Sequence, residues 1–241
     1  MIKAAARQAQ DKRLWGLALL ASTLVLASCA SPGGRHGEPP LRPTANPSSV
    51  VAAELAFARL ARERGQWTAF AQYAAPDALM FVPAPVNAQT WLKGRANPAQ
   101  AVKWQPHQVW SSCDGSLAVA KGAWQQGDGT SGYFTTIWQR QEDGSLKWVL
   151  DQGDTLDQPL GEPEMVSGQV ADCDPVTSNV ITMPRGQNSD GRFYFDGHAK
   201  EDSLSWTITV EPDLSRVLRV YMWQDKEMRE VLTSSVAAPA S

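Results

Sequence analysis

The sequence holds few of the residues on which side-chain catalysis most often relies. Its 241 residues include only 3 histidines, 3 cysteines and 4 tyrosines. No glycine-rich loop is spaced to cradle a phosphate, and no Gly-x-Ser-x-Gly turn would expose a nucleophilic serine. There is no Cys-x-x-Cys pair and no cysteine–histidine set, which removes the common zinc and dithiol sites. Asp172-Cys173-Asp174 is too short a segment to argue for calcium. No metal or other cofactor is therefore expected. Basic clusters are missing as well, and acidic residues outnumber basic ones by 25 to 22. That balance argues against nucleic acid and against electrostatic docking on anionic lipid. Long apolar runs are absent apart from Leu14 to Ala27, which is too short to span a bilayer comfortably. No internal repeat is visible.

The short apolar run has a meaning of its own. It follows Lys3, Arg7, Lys12 and Arg13 and ends in Leu26-Ala27-Ser28-Cys29. This arrangement is a signal peptide, and its last four residues resemble the lipobox of bacterial lipoproteins. The resemblance implies that the chain is cut before Cys29, that the Cys29 thiol receives a diacylglycerol and that the new amine is acylated. Buried acyl chains contribute roughly 0.8 kcal/mol per methylene, enough for durable anchoring. Ala30, rather than an acidic residue, follows Cys29. In a bacterium with two membranes, that implies the outer membrane, facing the periplasm. Residues 1–28 are then the signal peptide, and 29–48 a lipid-anchored linker rich in proline and glycine. The removed piece carries four basic residues and Asp11, so the net charge of −3 becomes about −6 in the remainder.

With Cys29 assigned to lipid, Cys113 and Cys173 form an even pair in an oxidising compartment. A disulfide is the economical expectation, and two separate buried thiols are the alternative.

Periodicity places the elements. A first helix is expected from about Ser48 to Gly65, with Val50, Ala53, Phe57, Leu60 and Ala61 on one stripe and Glu54 in the middle of it. A second, short helix carries Trp67 and Phe70 and ends at Pro76. A strand follows at Leu79 to Val82. Asn87 caps a helical turn reaching Gly94, and Pro98 opens another short helix ending near Trp104. The pattern then changes to alternation. Four strands, about 107–113, 116–125, 133–140 and 146–152, are separated by Asp114-Gly115, Asp128-Gly129 and Asp143-Gly144, strong hairpin signals. Residues 161–202 are weakly patterned, with one strand near Met165 to Val170. Three further strands are expected at 204–210, 216–223 and 228–232.

Several of these segments together resemble a family. Glu54 in an Ala/Phe-rich helix, Gly65-Gln66-Trp67, Phe81-Val82-Pro83, Gly122-Ala123-Trp124, and Asp143-Gly144 before Lys147-Trp148-Val149-Leu150-Asp151 are similar to the nuclear-transport-factor-2-like superfamily. The closest flavour is its SnoaL-like and ketosteroid-isomerase-like branch. The resemblance implies an α+β fold over residues 49–157, a cone-shaped barrel of curved antiparallel sheet packed on N-terminal helices around an apolar pocket. Residues 158–235 form a β-rich C-terminal extension outside it, and 236–241 a frayed tail. The family includes isomerases, dehydratases and binding domains, so the fold leaves the function open. Its catalytic sets do not map onto this chain.

The candidate site residues are few. Glu54 sits on a face expected to be buried and is either a proton-transfer group or a structural carboxylate paired with an arginine such as Arg95 or with backbone amides. His107 opens the first meander strand and would titrate near neutral pH. Asp151 closes the last meander strand and Asp154 follows it; either faces a pocket mouth or sits at a solvated strand end. Trp104, Trp110, Trp124, Tyr133 and Trp138 form a candidate ligand platform, or pack a core.

Three functions fit: noncatalytic binding of a small apolar molecule or a protein partner, proton transfer of the isomerase or dehydratase type by a pocket carboxylate, and a structural envelope role with homodimerisation. An open pocket with two convergent ionisable groups favours the enzyme. A closed, tryptophan-filled barrel favours the structural role.

Overall fold

The structure, a computed structural model, describes residues 45–174, 176–177 and 186–239. The segment around Cys29 and its signal peptide lies outside the described residues. So does most of the expected linker. Among the described residues, no helix is long and apolar enough to cross a membrane.

Two helices open the described chain. Helix α1 spans Pro47–Arg64 and buries Val50, Glu54, Phe57, Ala58 and Ala61, the expected stripe with its embedded acid. Gly65 ends it at φ 102, a backbone conformation that favours glycine. Helix α2 spans Gln66–Tyr73. The Asn97 side-chain oxygen accepts from the Trp67 and Thr68 amides at 2.7 and 3.2 Å, meeting two of the unpaired donors at its start. Strand β1 (Ala74–Phe81), strand β2 (Pro85–Asn87) and helix α3 (Ala88–Leu92) follow, with Asn87 capping α3 through the Thr90 amide at 2.9 Å. The sequence pattern predicts a helix after Pro98, and none forms. Asn97, bonded to the first amides of α2, and Gln66, whose side-chain oxygen accepts from the Val102 amide at 3.0 Å, hold that stretch as a loop. Strand β3 then begins at Lys103, so the loop leads directly into the sheet.

The meander is β3 (Lys103–Ser111), β4 (Leu117–Gln125), β5 (Ser131–Arg140) and β6 (Leu146–Leu156). Gly115, Gly129 and Gly144 all take positive φ, as the three Asp-Gly turns require. With β1, β2 and β7 (Ser167–Val170) it makes a seven-stranded sheet in the order β2-β1-β6-β5-β4-β3-β7. The sheet is mixed, because β1 pairs with β6 and β7 pairs with β3 in parallel. The second sheet holds β8 (Gly186–Gln187), β9 (Phe193–His198), β10 (Leu204–Val210), β11 (Arg216–Gln224) and β12 (Glu227–Val236), in sequential order.

The first sheet is covered on both faces. Along β4, Ala118 and Ala120 face the helices, and Leu117 and Val119 face the second sheet. One core therefore joins α1, α2 and α3 to the sheet around Phe57, Trp138 and Trp148. The other lies between the sheets, where Trp110, Ile137 and Leu150 meet Leu204, Ile208, Leu218 and Met222. A sheet covered on both sides needs apolar residues in both registers, and β4 and β5 supply them. At one end, Cys113 and Cys173 form a disulfide across 60 residues. It ties the turn after β3 to the segment that leads into the second sheet.

Two bulges decide which side chains face the helices. Between β3 and β4, Pro106 pairs with Gly122 and Gln108 with Lys121, which leaves His107 as the extra residue. Between β5 and β6, Ile137 pairs with Leu150 and Trp138 with Trp148, which leaves Val149 as the extra residue. Each extra residue moves everything beyond it to the opposite face.

Candidate functional site

A cavity of about 470 Å³ lies between the helices and the first sheet. Phe57 and Phe70 close it from the helical side. Trp104, Trp124 and Phe134 line it from the meander, and Phe81 from β1. Trp104 and Trp124 are cross-strand partners. The Trp124 indole donates to the Tyr133 carbonyl at 2.9 Å and lies over Gly132, where an added Cβ would come within 2.4 Å of its ring and 2.0 Å of the Asp154 carbonyl. A glycine at 132 is thus required for Trp124 to form this wall.

Two carboxylates converge beneath these aromatic rings. Glu54, fully buried on α1, accepts from the Trp138 indole at 2.7 Å and from the Trp104 indole at 3.1 Å. Its partners are indoles and not Arg95, which instead stacks over the Trp91 ring at 3.4 Å. Burial pushes the Glu54 carboxyl from 4.5 up to about 7 against the pull of the Trp138 hydrogen bond, and the neighbouring Asp151 raises it further. Asp151 lines the cavity and accepts from the Thr136 hydroxyl at 2.7 Å. Burial pushes it too up to about 7, while the Thr136 hydroxyl and the Arg216 charge pull the other way. The Thr136 hydroxyl has one proton and gives it to Asp151, while Glu54 is held by the two indoles.

The Val149 bulge brings Asp151 here. In strict alternation, Trp148 on the helix side would send Asp151 to the opposite face. The extra residue instead places Asp151 opposite Thr136, with Gly153 opposite Phe134, all on the cavity side.

The other expected residues are dispersed. Trp104 lines the cavity, and Trp138 lies fully buried under it as a donor to Glu54. Trp110 lies beyond the His107 bulge and packs between the two sheets. Tyr133 faces the second sheet, where its hydroxyl donates to the Ser235 carbonyl. His107 lies outside this cavity, in a neighbouring groove beside Lys103 and Glu162, and burial pushes its imidazole down. Among the described residues, its Nε2 has no hydrogen-bond partner. No group of three or more metal-ligating side chains occurs among the described residues.

Trp124, a member of the candidate platform, lines the cavity beside Trp104. Sequence reasoning missed Thr136, Phe134 and Arg216. Thr136 and Phe134 alternate correctly for one face, but nothing in the sequence marked that face as the cavity. Arg216 comes from the second sheet, and no local pattern connects it to Asp151.

No family model matches the chain, and no curated protein matches it. Among solved structures, it is similar to a protein from Parabacteroides distasonis provisionally described as a ketosteroid isomerase. The TM-score is 0.38 and the identity 15%, over 48% of this chain and 97% of that one. It is also similar to a protein from Novosphingobium aromaticivorans provisionally described as an aromatic ring hydroxylase, with a TM-score of 0.36 and 16% identity over 48% and 92% of the two chains. Likeness at this level assigns no chemistry to this chain.

Proposed function

We propose that the cavity binds a small apolar molecule bearing a polar group such as a carbonyl, and that Asp151 exchanges a proton with it. One observation carries this reading: a carboxyl group held in an aromatic cavity, with its proton affinity raised to about 7. A group that titrates near the working pH is populated in both forms, as general acid–base chemistry needs. The cavity is open, Asp151 lines it and Glu54 lies buried behind it, an arrangement that favours proton transfer over a purely structural barrel. Trp104, Trp124 and Phe134 would orient the apolar body of the molecule. Glu54 would sit behind the cavity wall, held by the Trp138 and Trp104 indoles, with no contact to the ligand.

Within this proposal, the chain is tethered to a membrane through lipid on Cys29. The order of basic start, apolar run, Leu26-Ala27-Ser28-Cys29 and linker supports that placement.

Titration of the full chain with small cyclic ketones, followed through the indole N–H signals of Trp104 and Trp124, tests the binding step. Saturable shifts are expected, and they are lost in Val102→Trp, which crowds the cavity wall. Shifts that persist in that variant, or none in the wild type, refute the site. Saturable binding that leaves Asp151 without any role in proton exchange would return the chain to noncatalytic binding.

A further inference from the structure

Gln66 is the first residue of α2 and is only 9% exposed. Its side-chain amide carries an accepting oxygen on one side and a donating NH₂ on the other. The oxygen accepts from the Val102 backbone amide at 3.0 Å. A backbone N–H can only donate, so this bond fixes which way round the Gln66 amide lies. The nitrogen is left on the other side. Among the described residues, no protein group accepts from it. The unpaired indole nitrogens of Trp148, Trp206 and Trp223 are sealed in by their neighbours, whereas the Gln66 nitrogen keeps open surface.

That open surface belongs to the aromatic cavity, which Gln66 lines, and to a neighbouring groove that shares Gln66, Trp67, Val102 and Gln126 with it. Gln66 thus stands where the cavity opens. The other buried donors on the cavity wall are already engaged. The Thr136 hydroxyl donates to Asp151, the Trp104 indole to Glu54, the Trp124 indole to the Tyr133 carbonyl and the Gln152 amide to Ser234. Trp67 is half-buried, and Gln126 and Thr155 are exposed. A molecule that brings an oxygen into the cavity therefore meets one buried, pre-oriented and unused donor.

We propose that Gln66 is the specificity-determining residue of the cavity: its side-chain N–H donates to the oxygen of the bound molecule. The site then favours a ligand that offers an acceptor at that point, such as a ketone, over one that offers a donor or nothing. This inference rests on the proposed binding of an apolar carbonyl compound and names the group that receives the carbonyl. The competing account makes Gln66 only a staple for the loop before β3. The two accounts differ in what a variant loses. A staple supports every occupant of the cavity alike, and a donor supports only those with an oxygen.

Cyclohexanone and methylenecyclohexane, the same ring with a methylene in place of the oxygen, are the probes. Their binding to the full chain is followed through the indole N–H signals of Trp104 and Trp124. In Gln66→Met, which keeps an unbranched side chain without the donor, ketone affinity is expected to fall about fivefold, the effect of one lost hydrogen bond, while hydrocarbon affinity holds or rises. Equal losses for both probes overturn the proposal and leave the staple. Ketone affinity unchanged in a folded Gln66→Met also overturns it. Should Gln66→Met fail to fold, Gln66→Glu at pH 8.5 decides. It keeps an oxygen for the Val102 amide and offers no N–H, and a ketone affinity retained there overturns the proposal. If neither probe binds the parent, the proposed function fails and takes this role with it. If the loss is confined to the ketone but no proton is exchanged, the role of Gln66 stands without that of Asp151. If protons are exchanged and Gln66→Met spares the ketone, the reverse holds.

Discussion

Replacing Glu54 by glutamine should change how stability depends on pH more than it changes stability itself. Glu54 is fully buried and accepts from two indole N–H groups, and its proton affinity is raised from 4.5 to about 7. Below about pH 4.5 the carboxyl is protonated in both folded and unfolded chains, and its burial carries no charge penalty. As the pH rises toward 7, the unfolded chain ionises while the folded chain keeps its proton. Stability is lost across that window. The rise corresponds to about 3 kcal/mol, present below the window and gone above it. Glutamine has no such loss. It has a different cost, because its one oxygen satisfies one indole while its amide N–H faces the other donor. A mismatch of that kind costs about 1–3 kcal/mol at every pH. Glu54→Gln should therefore be less stable than the parent at about pH 4, and equal or more stable at about pH 8.5. Urea denaturation of both proteins at the two pH values measures the difference, and ionisable groups shared by the pair cancel. A stability difference of the same size at both pH values would refute the buried, indole-held carboxyl as described.

Other outcomes follow from the same geometry. Serine at Cys113 or Cys173 opens the 60-residue link and should lower stability by about 4 kcal/mol on the loop-closure model, read as a lower urea midpoint than that of the parent. Gly132→Ala should displace the Trp124 ring and weaken ketone binding, visible as a changed tryptophan emission spectrum and a lost NMR response; an unchanged spectrum would contradict the close contact at Gly132. Cys29→Ala should abolish labelling by a radioactive fatty acid and leave the protein uncleaved or soluble, and labelling equal to that of the parent would remove the lipid anchor from the proposal.

How much of this was legible in the sequence depended on whether the information was local. The meander was legible because each Asp-Gly turn supplies both the chemistry and the spacing of a hairpin. The α1 stripe and its embedded Glu54 were legible because helical periodicity places that acid on the buried face. Strand β9, Phe193–His198, was missed because Asp196 and Gly197 interrupt its apolar pattern and its pairing with β10 is non-local. The two bulges were invisible, since an extra residue in a strand leaves no mark in composition. That alone separates Trp110 from Trp104 and delivers Asp151 to the cavity. The partners of Glu54 were misjudged because Trp104 and Trp138, 50 and 84 residues away, offered no local signal. Arg216 was beyond reach for the same reason.

The central claim is that Asp151 moves protons on a molecule held in the aromatic cavity. Deuterium incorporation next to the carbonyl of small cyclic ketones, followed in heavy water across the pH range with the full chain, tests it most directly. The account expects incorporation above the uncatalysed rate, rising with pH through about 7 as Asp151 ionises, and falling to background in Asp151→Asn with the fold intact. Incorporation that is absent in the parent, or equal in Asp151→Asn, would contradict it.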